Sequence, residues 1–156
     1  MNTRIDVRKY LSSSLTQALL KLSFESQKHL EHSLLRLVEI RASQINGCAY
    51  CLDMHTKDAR AAGETEQRIF ALSAWRETPF FTDRERAALE WIEAVTLVAD
   101  SRVPDDVYAQ VAQQFNEEEI VALTFAVIVI NSWNRLQVSF RPQVGDYQPK
   151  AVAAVS

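Results

Sequence analysis

Glycine and proline are scarce in this chain, three and four residues among 156. Turn-rich sheets usually need more of both, whereas long helices tolerate such a composition. A basic excess is also missing. The formal charge is −3, which supplies no field for a phosphate backbone, so nucleic acid is not an expected partner. The longest apolar run, residues 120–130, is too short to span a bilayer by itself, and no membrane association is expected. Residues 1–10 are polar and charged rather than signal-like, which makes the cytoplasm the expected compartment. Cysteine is rare as well: two residues three apart are a poor framework for a secreted domain, and such a pair points to redox or metal chemistry.

What is present fits a soluble globular chain, with 47% hydrophobic and 24% charged residues. The length predicts a single domain over residues 1–156, with a core at about 11–140 and an irregular, partly mobile tail at 141–156. Apolar residues recur at helical spacing over 11–22 and 31–45, with a break expected in the polar stretch 23–29. Asn46-Gly47 is a turn signal that leaves Cys48 at the start of a third helix, and Gly63 is a stop for it. Thr65 can cap a short helix that Thr78-Pro79 ends, and Thr82 with Glu85 forms a capping box for the next. Pro104-Asp105-Asp106 starts another helix, and Asn116 to Glu119 opens the last, which runs to about Phe140 before Arg141-Pro142. The fold class expected is all-α.

The last helix is apolar around most of its circumference, so nearly all of its sides need cover. A chain this small has limited capacity for that, which predicts burial against a neighbouring subunit. Trp75, Trp91 and Trp133 are expected in the core or at such contacts.

Chemistry concentrates in Gly47-Cys48-Ala49-Tyr50-Cys51-Leu52-Asp53-Met54-His55, which holds both cysteines and one of three histidines. On a helix, positions 48, 51 and 55 share one stripe. The thiolate is the reactive form of cysteine, and a helix N-terminus or a nearby histidine favours it. An imidazole titrating near ~6.5 is suited to taking a thiol proton. Two other readings stay open: the cysteines as inert packing residues, or a zinc site in which His29 and His32 join Cys48 and Cys51. Asp53 and Lys57 read as an i, i+4 pair on a solvated face, and Tyr50 points off the reactive stripe.

The stretch from Arg41 through His55 resembles the core motif of the alkylhydroperoxidase D-like (AhpD-like) proteins of the carboxymuconolactone decarboxylase superfamily. The similarity continues through Ala62 to Arg68 and Ala74 to Thr82, and returns at Ile130 to Arg135. The resemblance implies an AhpD-like helical bundle assembled as a homotrimer or homohexamer. It also implies a cofactor-free thiol peroxidase with Cys51 as the peroxide-attacking cysteine, Cys48 as the resolving one and His55 as the proton-relay histidine. The family pattern usually has a glutamate twelve residues before the first cysteine, where this chain has Arg36. Glu39, one turn further along the same helix, is the candidate to orient His55 instead. The alternative is a surface Arg36–Glu39 ion pair of little weight.

The expected activity is antioxidant reduction of organic hydroperoxides through a dithiol–disulfide cycle, with a lipoyl-type or thioredoxin-like dithiol as reductant. A general disulfide reductase would use the same three residues. A redox sensor would use the dithiol to switch an oligomer interface.

Overall fold

The structure, a computed structural model, describes residues 2–149. Residues 150–156 of the expected tail lie outside them. Eight α-helices are present among the described residues, with no strand. They are α1 (Ser14–Ser26), α2 (His32–Ile45), α3 (Ala49–Ala61), α4 (Glu66–Ala71), α5 (Asp83–Thr96), α6 (Val98–Ser101), α7 (Asp105–Gln114) and α8 (Glu117–Phe140). Short 3₁₀ segments cover Val7–Tyr10 and Leu72–Glu77. The class is all-α, as the scarcity of turn residues implies.

The capping chemistry read from the sequence sets most boundaries. The capping box of Thr82 with Glu85 forms, Thr65 caps α4, and Asn116 with Glu119 makes a second capping box where the last helix opens. Arg141 adopts the left-handed conformation (φ 53°) before Pro142 and closes α8. Pro104 is the cap residue before α7 rather than part of its first turn, which Asp105 and Asp106 occupy. Helix α1 is displaced from the expected 11–22. Ser13 caps it by accepting from the Thr16 amide, and it continues through the serine-rich segment to Ser26, where the Ser23 hydroxyl donates back to the Leu19 carbonyl. The break therefore falls after Ser26.

The hub is α2, packed against α3, α5 and α8. Leu37, Val38 and Ile40 of α2 meet Leu89 and Ile92 of α5 and Leu123 and Val127 of α8, all essentially without exposure. Truncating one of these leucines to alanine costs about 2–5 kcal/mol. Trp75 and Trp91 are buried in that core. Among the described residues α8 is long and apolar enough to cross a membrane, but half of its most apolar window is buried inside the protein. The remaining stripe, Val121, Phe125 and Ile128, stays exposed at i, i+4 and i+7.

Candidate active site

The turn between α2 and α3 sets the site. Gly47 takes φ +62°, a conformation in which a Cβ would be strained. The side-chain amide of Asn46 donates to Asn131 Oδ1 (3.0 Å) and Asn134 Oδ1 (2.9 Å) on α8. Asn134 in turn donates to Ser43 Oγ on α2 (3.0 Å), and Asn131 to Thr96 Oγ1 on α5 (3.1 Å). A buried amide left unpaired costs about 1–3 kcal/mol, so this network fixes the turn in one arrangement. Its sequence signal was two asparagines inside an apolar helix.

Cys48 is the N-cap of α3, and its sulfur accepts from the Cys51 amide at 3.4 Å. The two sulfurs lie at disulfide distance, with Cα atoms 5.4 Å apart, within the ordinary range for a bridge. Both side chains are buried, and they differ in what they face. Cys51 lines a cavity of about 450 Å³; Cys48 does not.

That cavity is walled largely by apolar side chains, Leu11, Leu20, Phe24, Leu35, Val129 and Trp133 among them. His55, Glu39, Met54 and Tyr50 also face it. Tyr50, read from the sequence as pointing off the reactive stripe, lines the cavity that Cys51 opens onto. Trp133 is half-buried and forms part of the cavity wall, its indole N–H donating to Ser23 Oγ at 2.9 Å. The 3₁₀ segment at the N-terminus supplies Val7 and Arg8, and Pro142 and Gln143 come from beyond α8.

Glu39 and His55 meet beside Cys51. Glu39 Oε2 lies 3.1 Å from His55 Nδ1 and 3.4 Å from Arg36 Nη1. The ion pair with Arg36 thus forms, but Glu39 is only 13% exposed and is not a surface group. The buried Nδ1 has no aligned hydrogen-bond acceptor, so its contact with Glu39 is one of charge and proximity rather than a directed bond. Burial pushes the Glu39 carboxyl up, but the neighbouring His55 and then Arg36 outweigh it and hold it below the ordinary carboxylate value.

His29 is not brought to the cysteines. Its Nδ1 sits 4.0 Å from Glu118, and among the described residues no cluster of three or more metal-binding side chains forms. Asp53 and Lys57 do pair at 2.8 Å, and they also hold the described part of the tail. Lys57 donates to the Gly145 and Tyr147 carbonyls, and Asp53 accepts from the Gly145 amide.

The profile of the carboxymuconolactone decarboxylase family matches residues 13–94. A protein of Bacillus subtilis, YdfG, itself uncharacterized, is 47% identical over 116 residues, 74% of this chain and 79% of that one. The crystal structure of an Agrobacterium tumefaciens protein of unknown function, offered as a candidate antioxidant defence protein AhpD, superposes with TM-score 0.89 at 44% identity, covering 94% of this chain and all of that one. An uncharacterized peroxidase-related protein from Ralstonia eutropha, described as an alkylhydroperoxidase AhpD core, shares the fold at TM-score 0.75 and 14% identity, over 86% of this chain and 73% of that one. The chain belongs to the carboxymuconolactone decarboxylase family, as an AhpD-like member.

Proposed function

We propose that this protein is a thiol-dependent peroxidase that reduces organic hydroperoxides in antioxidant defence. The observation that carries this reading is that Cys51 and His55 line one apolar cavity, with Cys48 at disulfide distance outside it. In the reduced state His55, oriented by Glu39, takes the Cys51 proton. The thiolate attacks the outer oxygen of the hydroperoxide, the O–O bond breaks, and the alkoxide leaves as an alcohol with a proton from His55. Cys51 becomes a sulfenic acid, and the Cys48 thiol displaces its hydroxyl as water to form the disulfide. A dithiol then attacks Cys51 from the cavity and Cys48 leaves, ending as its thiol; the donor's second thiol displaces Cys51 from the mixed disulfide, which oxidises the donor to its own disulfide and restores both protein thiols. A departing Cys48 thiolate faces the Cys51 amide and the positive end of α3, which favours it as leaving group.

The apolar walls favour an organic peroxide over a small polar one. A cavity of this size suits a slender lipoyl-type dithiol better than the flat face of a thioredoxin-like protein. The same cavity weighs against a general disulfide reductase, whose protein substrates would have to reach a buried bridge. The exposed stripe on α8 supports self-association, and the protein is proposed to work in the cytoplasm as the homotrimer or homohexamer that the family resemblance implies. The decisive experiment is trapping of the sulfenic acid. Cys48→Ser treated with one equivalent of cumene hydroperoxide should carry a dimedone adduct on Cys51, and Cys51→Ser should carry none. An adduct on Cys48 alone would refute the assignment.

A further inference from the structure

Arg36 occupies the position where the family pattern carries a glutamate, and its geometry gives it work of its own. We propose that Arg36 is a positioning residue for the Glu39–His55 pair, holding the Glu39 carboxylate ionised and turned toward the imidazole. This rests on reading the site as a thiol redox centre in which that pair handles the proton.

One oxygen of Glu39, Oε2, has His55 Nδ1 on one side at 3.1 Å and Arg36 Nη1 on the other at 3.4 Å. The other oxygen, Oε1, is 3.5 Å from the Gln27 amide nitrogen. A carboxylate this buried would tend to protonate without a cation beside it. Arg36 is itself shared: Asp58 Oδ2 lies 3.9 Å from the same Nη1. The other oxygen of Asp58 accepts from the Tyr147 hydroxyl at 2.8 Å. Tyr147 is pinned in turn by Lys57, which donates to its carbonyl at 3.0 Å. Burial and Asp58 push the Tyr147 phenol up to about 12, so it remains a donor across the working pH range. Asp58 is thereby anchored, which limits how far Arg36 can swing from Glu39. The chain Tyr147–Asp58–Arg36–Glu39–His55 joins the segment after α8 to the redox site.

The charged and titratable surroundings of the pair are Arg36 from α2 and Cys51, Tyr50 and Asp58 from α3. The N-terminal 3₁₀ segment brings Arg8, ion-paired with Asp6. The residues facing it from beyond α1 and from α8, Gln27 and Gln137, are neutral. Removing the Arg36 cation stabilises both protonated forms of the pair, whichever partner carries the proton, so the sign of the effect does not depend on that choice. Removing the Asp58 anion acts the other way.

The test is titration of the His55 imidazole by NMR in the fully reduced protein. Arg36→Gln should move the first protonation of the pair up by about one pH unit, the low end of what an adjacent cation does to a carboxylate. Arg36→Lys, which keeps the charge, should stay near the parent, and Asp58→Asn should move it down. An unchanged titration in Arg36→Gln, or an equal shift in Arg36→Lys, would overturn the proposal. The readout needs no peroxide: a protein that shows these shifts yet consumes no hydroperoxide would sink the peroxidase reading and leave this inference standing.

Discussion

The proposed chemistry depends on which of two neighbouring cysteines faces open space. Cys51 does, and the buried Glu39 carboxylate lies 3.1 Å from His55 Nδ1. Glu39→Gln keeps the shape and removes the charge. Hydroperoxide consumption should fall about ten-fold, less than the roughly hundred-fold or more that a positioned acid–base group itself contributes, since His55 remains. Steady-state rates across pH would show this, and an unchanged rate would deny Glu39 any part in the relay. At this scale the sequence was legible where spacing dictates geometry: 48, 51 and 55 on one helical edge. The Glu39 contact was readable only as a candidate, because one turn of α2 offers either a surface ion pair with Arg36 or an inward contact with His55. The structure makes both with a single oxygen. The cavity-facing role of Tyr50 and Trp133 was not readable, since it depends on how α1, α3 and α8 enclose a space.

At the scale of elements, Glu93 on α5 joins three pieces of the chain. Its carboxylate accepts from Arg41 of α2 (2.8 Å), from the Trp75 indole (2.8 Å) and from Arg76 (2.7 Å). Burial raises its carboxyl, but the Trp75, Arg76 and Arg41 donors outweigh that and hold it below the ordinary value. A depressed folded-state value means that the unfolded chain takes up the proton first as pH falls. The stabilisation is therefore complete above the unfolded value of about 4.3 and is lost as pH drops through the folded one. Urea denaturation should give a lower midpoint at pH 3.5 than at pH 7. Glu93→Gln should lower the midpoint at pH 7, by about 2 kcal/mol in stability, and shrink the difference between the two. Equal pH dependence in the variant would contradict this. Helix boundaries were legible where a side chain caps its own backbone, as at Thr65, Thr82 and Asn116. At α1 the break does fall within the polar stretch 23–29, but polarity alone did not mark where in it, since the Ser23 hydroxyl satisfies a helical carbonyl and the helix runs on to Ser26.

For the whole molecule, α8 remains the unfinished element. Its inner face is buried while Val121, Phe125 and Ile128 line its outer face in the open. Three apolar side chains on one stripe are an expense in water that a neighbouring copy would remove. Light scattering should find a homotrimer or homohexamer, and Phe125→Glu should lower the mass toward the monomer; a monomeric parent protein would refute the assignment. The sequence made the need for cover visible in the all-round apolarity of α8, but which side stays bare depends on the packing of α1, α2 and α5. If the intact protein turns over peroxide through its dithiol, steady-state consumption of cumene hydroperoxide with dihydrolipoamide as donor will show it. Many turnovers per protein, abolished in Cys51→Ser, are the predicted result; a single equivalent consumed with the donor present, or undiminished turnover in Cys51→Ser, would contradict it.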